Sequence, residues 1–285
     1  MRIELLNIKT DYVFKRIFGH VGNEEITKDF LSSILKEKVS KIELDKNPIL
    51  EKDLIDDKVG ILDIKAEIND NTNVDIEMQI IDKNNSEKRI LFYCAKLFTK
   101  TLKSGKDYNS LKKSIVILIA DYELDNLKEI PKYITKWNLR EETYPIHILT
   151  DSIEIYINYI FIVPIELKKF KKFAKTSTHK KLNSWIKFIE SPEVIDMSNK
   201  EIVKAKELLE GISKDEHECY LAELREKYIL DQNATEAAGY NKGLKAGKKE
   251  NNLEIAKKMI EEKIPIEVIK KITNLTKKEL ENLTK

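Results

Sequence analysis

Between Val74 and Ile80 the chain alternates without interruption: Val74, Ile76, Met78 and Ile80 are apolar, and Asp75, Glu77 and Gln79 are polar. A period of two marks a strand with one side turned inward. The run from Ile61 behaves alike, with Leu62, Ile64, Ala66 and Ile68 on one side and Ile61, Asp63, Lys65 and Glu67 on the other. Turn formers from Asn69 to Asn73 separate the two runs, so the pattern predicts a β-hairpin. Upstream, Ile26, Phe30, Leu31, Ile34 and Leu35 recur at helical spacing behind Asn23, a capping residue, with Glu24 and Glu25 in the first turn; this predicts a helix over about 24–37. Downstream, EKRILFYCAKLFTKTLKSG reads as a helix stopped at Gly105, with Leu91, Phe92, Ala95, Phe98 and Leu102 as its buried side. SIVILIA has the continuous apolar character of a central strand, and YPIHILT and IEIYINYIFIVPIEL suggest two more strands by about residue 163.

The order αββαβ with further strands is that of an α/β fold, a mixed sheet flanked by helices. No strand pattern follows residue 165. ELKKFKKFAKTSTHKK reads as a solvated connector or helix face, and LNSWIKFIES, NKEIVKAKELLEGI and the remainder read as helix. Gly239, Gly243 and Gly247 recur every fourth residue, as a close-packing seam or as a weak linker. Pro265 opens a short helix, and Thr276 with Glu279 forms a capping box for another, so the end of the chain looks like a helix-turn-helix. Only Lys277 and Lys278 would face a groove, which favours an interaction or oligomerisation element over a base reader. The expected division is a core over 1–165, a helical extension over 166–235, and a charged linker with a short helical module over 236–285.

The 285 residues carry 51 basic and 49 acidic side chains for a net +2, with 41% hydrophobic content. That is enough to build a core, and any basic surface for a polyanion must be local. Cys94 and Cys219 form neither a CxxC pair nor a disulfide framework, which suits a reducing cytoplasm. No apolar run is long enough to span a bilayer, and the start has no signal-peptide pattern. Scattered histidines, and the lack of a Walker loop, a GxGxxG turn or a nucleophile elbow, argue against zinc, nucleotide-cofactor and serine or cysteine hydrolase chemistry.

The hairpin carries the candidate chemistry. With its turn centred on Asn71, Asp63 faces Gln79 and lies diagonal to Glu77, at β-carbon separations of roughly 5 and 7 Å. Two carboxylates this close repel, by about 4 kcal/mol at 4 Å for an effective dielectric near 20. A divalent cation removes that cost, and carboxylate oxygens with retained waters are what Mg²⁺ or Mn²⁺ takes. From spacing alone, alternating polar positions on a hairpin more often mean a face turned to solvent.

Several elements in order, KTDYVFKRIFG, ILDIKAEIND, VDIEMQ, KRILFYCAKLFTKTLKSGKDYNSLKKSIVILI, ELKKF and NSWIKFI, together resemble the Rpn family of recombination-promoting nucleases and transposases, within the PD-(D/E)XK nuclease superfamily. The resemblance implies a restriction-endonuclease-like fold and a DNA endonuclease using Mg²⁺ or Mn²⁺, linked to recombination, mobile elements or phage defence. Asp63 and Glu77 would be the catalytic, metal-holding acids. Gln79 falls where the motif has lysine; an amide there can position but brings no positive charge. The superfamily often adds an acid from the first helix, a part Glu24 or Glu25 could take, although their first-turn position is better explained by the helix dipole. Arg89, Tyr93, Lys96 and Lys100 form one stripe on the helix after the hairpin and are the candidate phosphate contacts. Tyr108 also matches the family but reads as core packing. The implied partner is DNA, held largely without regard to sequence, with no membrane partner and with a homo-oligomer through the C-terminal helices. The alternative is an inactive DNA-binding or protein-interaction chain that keeps the nuclease fold.

Overall fold

The computed structural model describes residues 4–45, 63–82, 85–102, 107–138 and 160–283. One sheet contains β1 (Ile42–Leu44), β2 (Ile64–Ile68), β3 (Thr72–Gln79), β4 (Lys113–Ala120), β5 (Trp137–Asn138) and β6 (Ile160–Glu166), in the order β1-β2-β3-β4-β6-β5. The central strands β3, β4 and β6 run parallel, while β1 and β2 on one side and β5 on the other pair antiparallel. The helices are α1 (Asp11–Phe18), α2 (Glu24–Leu35), α3 (Ser86–Lys100), α4 (Leu167–Phe173), α5 (Lys180–Glu190), α6 (Lys200–Ile212), α7 (Glu216–Glu261), α8 (Ile266–Thr273) and α9 (Lys277–Leu283). This is the mixed α/β sheet that the pattern predicts. The short edge strands β1 and β5 are too brief to leave a periodic signal. The strand expected at YPIHILT and the helix stop at Gly105 lie outside the described residues.

The two faces of the sheet differ. Val74, Ile76 and Met78 of β3 join Ile115, Ile117 and Ile119 of β4 and Phe161, Val163 and Ile165 of β6 in a large core with α1, α2, α5 and α6. Aromatic edges fill its centre, with Phe18 and Phe30 each 5.5 Å from the Trp185 ring. On the other face, Val116, Leu118 and Ala120 pack with Ile90 and Cys94 of α3, the helix that carries the chain across from β3 to its parallel neighbour β4.

The hairpin register differs from the expected one. Ile68 pairs with Thr72 and Lys65 with Asp75, so the turn centres on Asp70 and the ladder, continued, sets Asp63 across from Glu77 instead of Gln79. The reason lies in the turn. Asn69 and Asp70 both take left-handed φ values, 50° and 62°, closing the loop early and leaving Thr72 and Asn73 to the strand. Asn69 Oδ1 accepts the backbone N–H of Ser40 and Lys41 and fixes the turn against the start of β1.

Helix α3 is rotated from expectation. Its buried residues are Ser86, Ile90 and Cys94, while Leu91 and Phe92, expected inside, are exposed. Tyr108, expected in the core, is 76% exposed. Asn23 precedes α2 as expected, but its side chain donates to Arg16 O and Ile17 O at 3.1 and 3.0 Å instead of capping the helix.

Contacts divide the chain into Met1–Glu226 and Lys227–Lys285, with α7 contributing its first turns to the former and the rest to the latter. In the first unit, Arg225 holds Asp11 through two nitrogens at 2.9 and 2.6 Å, and Glu218 accepts from Tyr12 and Arg16 at 2.8 and 2.9 Å. In the second, Ala256, Ile269, Leu275 and Leu280 form a small core. The expected capping box is present: Thr276 N donates to Glu279 Oε2 at 2.9 Å and Glu279 N donates to Thr276 Oγ1 at 3.3 Å. Gly239, Gly243 and Gly247 lie in regular helix, and a β-carbon on any of them would meet nothing within 4 Å, so within this chain they pack no seam.

Candidate active site

Paired strands put directly opposed residues on one side of a sheet. The pairs Lys65–Asp75 and Asp75–Val116 therefore place Lys65, Asp75, Glu77 and Gln79 on the face that α3 covers. The bland reading of a solvated hairpin face is ruled out by burial: Asp75 is 4% exposed, Glu77 2% and Gln79 6%. Asp63, immediately before β2, joins them through its carboxylate, which contacts the Lys65 ammonium.

Each side chain is differently held. Gln79 Nε2 donates to Glu77 Oε2 at 2.6 Å, and the Tyr122 hydroxyl donates to Gln79 Oε1 at 2.7 Å, so both ends of the amide are committed to protein partners. Tyr122 in turn lies 2.8 Å from Ser86 Oγ at the start of α3. Arg89 Nη2 sits 3.7 Å from Glu77 Oε2. Asp75 has no such support: its Oδ1 is buried without a hydrogen-bond partner. Burial, reinforced by the negative charge of Asp63, pushes the Asp75 carboxyl up to about 7. Burial also raises Glu77, against the opposing effects of Gln79 and Arg89. Burial alone would lower Lys65, yet its bond to Asp63 and the nearby carboxylates raise it.

Asp63, Glu77 and Gln79 are thus brought together as their shared parity requires. Of the expected phosphate stripe, Arg89 turns toward Glu77, and the charge of Lys100 reaches Asp75. Tyr93 is half-buried with its ring 5.8 Å from Phe92, and Lys96 is exposed. Glu24 closes a local turn, accepting from Gly22 N at 3.0 Å, which holds it below its usual range, and Glu25 pairs with Lys28. Three contributors escaped sequence reasoning. Asp75 and Lys65 carried a signal, since period two puts both on the side of Glu77; Tyr122, beyond the end of β4, carried none.

A family model, PD-(D/E)XK nuclease family transposase, matches residues 8–238. The chain belongs to this family. A second model, the C-terminal HTH domain of the Rpn/YhgA-like nuclease family, matches residues 249–285, and so covers α8, α9 and the end of α7. No curated protein and no solved structure matches the chain. Membership supports a nuclease-type function, and the two domains together suggest DNA binding. Among the described residues no helix is long and apolar enough to cross a membrane.

Nucleases of this family generally use divalent metal ions, and the donors here fit one. All are hard carboxylate oxygens, one of them the buried, unpartnered Asp75 Oδ1. Among the described residues no three His, Cys, Asp or Glu groups form a closed cage, so the cluster is an open face on which an ion would keep several waters.

Proposed function

We propose that the chain is a Mg²⁺-dependent endodeoxyribonuclease that hydrolyses phosphodiester bonds at the Asp63–Glu77 cluster, with Mn²⁺ as an alternative ion. The observation that carries this reading is the burial of Asp75 and Glu77 with one carboxylate oxygen unpartnered, a costly arrangement that a bound cation relieves. When bound, the cation polarises a phosphoryl oxygen and makes an attacking water more acidic. Asp63 and Glu77 hold it, and Asp75 contributes further negative charge beside them. Gln79 serves as a positioning residue, because its amide, fixed by Tyr122, orients the Glu77 carboxylate. Lys65, on the neighbouring strand, supplies the positive charge that Gln79 lacks. Arg89 and Lys100 flank the acids and suit the strand backbone, with Tyr93 and Lys96 farther along the same stripe. The cytoplasm, where DNA is at hand and thiols stay reduced, is the proposed setting, with homo-oligomers formed through the C-terminal helices.

Plasmid cleavage with Mg²⁺, with Mn²⁺ and with EDTA tests the reading. Wild type should cleave only with metal, and Glu77→Ala should lose on the order of a thousandfold in rate while retaining DNA binding and the fold. Equal cleavage by wild type and Glu77→Ala, or none by a folded wild type with either ion, would sink the assignment and leave a binding protein.

A further inference from the structure

On the sheet face opposite the acids, a cavity of about 770 Å³ is lined by the C-terminal end of α2, residues 130–137, Val163 of β6 and the turns after α4. Val163 pairs with Ile117, and Ile117 with Ile76, so the sheet itself separates this cavity from Glu77. Its charged lining is of one sign: Lys36, Lys132 and Lys136, with no carboxylate among the lining residues. None of the three lysines is in an ion pair. Lys36 Nζ donates to Thr178 Oγ1 at 2.8 Å, and Lys136 Nζ lies over the Phe161 ring at 4.4 Å. Lys113 approaches the same ring at 4.9 Å. Burial and the charge of Lys113 hold Lys136 below its usual range, offset in part by Glu37. A concave surface of one sign focuses its field and concentrates anions.

The remaining lining is suited to a planar ring. Trp137 lines the cavity with 47% of its surface exposed and its indole N–H fixed on Thr135 Oγ1 at 2.8 Å. Tyr133 has its hydroxyl on Asn183 Oδ1 at 2.6 Å. His179, also in the lining, keeps Nδ1 buried without a hydrogen-bond partner, and burial together with the Lys36 charge favours its neutral form. Lysines without acidic partners beside an open indole and an unpaired imidazole nitrogen are the elements of a phosphate-plus-base site. The volume is within the usual range for small-ligand pockets and too confined for a duplex.

We propose that this cavity binds a nucleoside phosphate, its phosphate at Lys36 and Lys136 and its base against Trp137, either as a free nucleotide or as the end of a single strand. The site is independent of the acidic cluster and does not require that the latter cleave DNA.

The test is titration of the full-length chain, in EDTA and at low salt, with deoxyadenosine monophosphate, with inorganic phosphate and with a short 5′-phosphorylated single strand. The readouts are calorimetry and quenching of tryptophan fluorescence. Trp185 is fully buried, so quenching reports Trp137. Either the nucleotide or the strand should bind more tightly than inorganic phosphate. Substituting both Lys36→Ala and Lys136→Ala should weaken that binding by about tenfold or more, and Trp137→Leu should abolish the quench. Glu77→Ala should leave both unchanged. The arm that binds identifies the source: nucleotide alone for a free ligand, strand alone for a chain end. No binding of either, affinity no better than that of phosphate, or full affinity in the folded double-lysine variant would overturn the proposal.

Discussion

Two buried carboxylate groups share one face of the sheet, and they are treated oppositely. Gln79, Ala120 and Glu166 stand in one row across β3, β4 and β6, so Glu166 lies two strands, roughly 10 Å, from the acidic cluster. Glu166 is closed off: Oε1 accepts from Leu124 N at 2.8 Å, and Oε2 lies 3.1 Å from Lys169 Nζ. The same ammonium donates to the carbonyl of Leu127 and, at 3.5 Å, to that of Ile130. Asp75 is equally buried but keeps an oxygen unpartnered, and its strand neighbour Glu77 is held on one side by an amide and faces Arg89 only at 3.7 Å. A closed pair belongs to the architecture, joining β6 and α4 to the 124–130 segment. An open one stores unfavourable energy that a ligand can relieve.

The largest effect should come from breaking the closed pair. Lys169→Ala strands Glu166 in the interior and should cost about 3–5 kcal/mol of stability, read from urea midpoints. A loss no greater than that of an exposed lysine would erase the contrast between the two groups.

Next in size is the charge at the open cluster. If Lys65 stands in for the motif lysine, Lys65→Met should slow metal-dependent cleavage by about a hundredfold with little change in DNA affinity. Adding Gln79→Lys should restore a large part of the rate. Failure of that rescue, with Gln79→Lys alone active, would remove Lys65 from the mechanism.

The smallest effect concerns pH. Asp75 keeps its proton to about pH 7 in the folded chain, against an ordinary value of 3.8. Between about pH 4 and pH 7 the native state thus binds more protons than the unfolded one, so this group makes stability fall as pH rises through that window. Asp75→Asn should remove the fall, gaining on the order of 2 kcal/mol at pH 8 over pH 5 relative to wild type in EDTA. Identical pH profiles for the two proteins would place Asp75 in a more polar setting than its burial indicates.

Much of this was legible along the chain. The alternation in VDIEMQI fixes that Asp75, Glu77 and Gln79 share a side, because successive strand side chains point to opposite faces whatever surrounds them. The same parity assigns Asp63 and Lys65 to that side, and local chemistry alone predicted the capping box at Thr276 and Glu279. Other features needed the folded chain. Apolar residues lie almost all round α3, so its sequence does not say which stripe turns inward; contact of Ile90 and Cys94 with Val116 and Leu118 sets the rotation and leaves Leu91 and Phe92 outside. The register shifted because two left-handed residues closed the turn at Asp70, a choice among several turn formers.

The sequence by itself determined the α/β class, the side of the hairpin on which the acids stand, and the membership that names their chemistry. Tertiary structure decided that this side is an interior. A period-two pattern records direction and not cover, and only the crossing of α3 over β3 and β4 takes Asp75 and Glu77 out of water, raises both carboxyls and leaves one of their oxygens unpartnered.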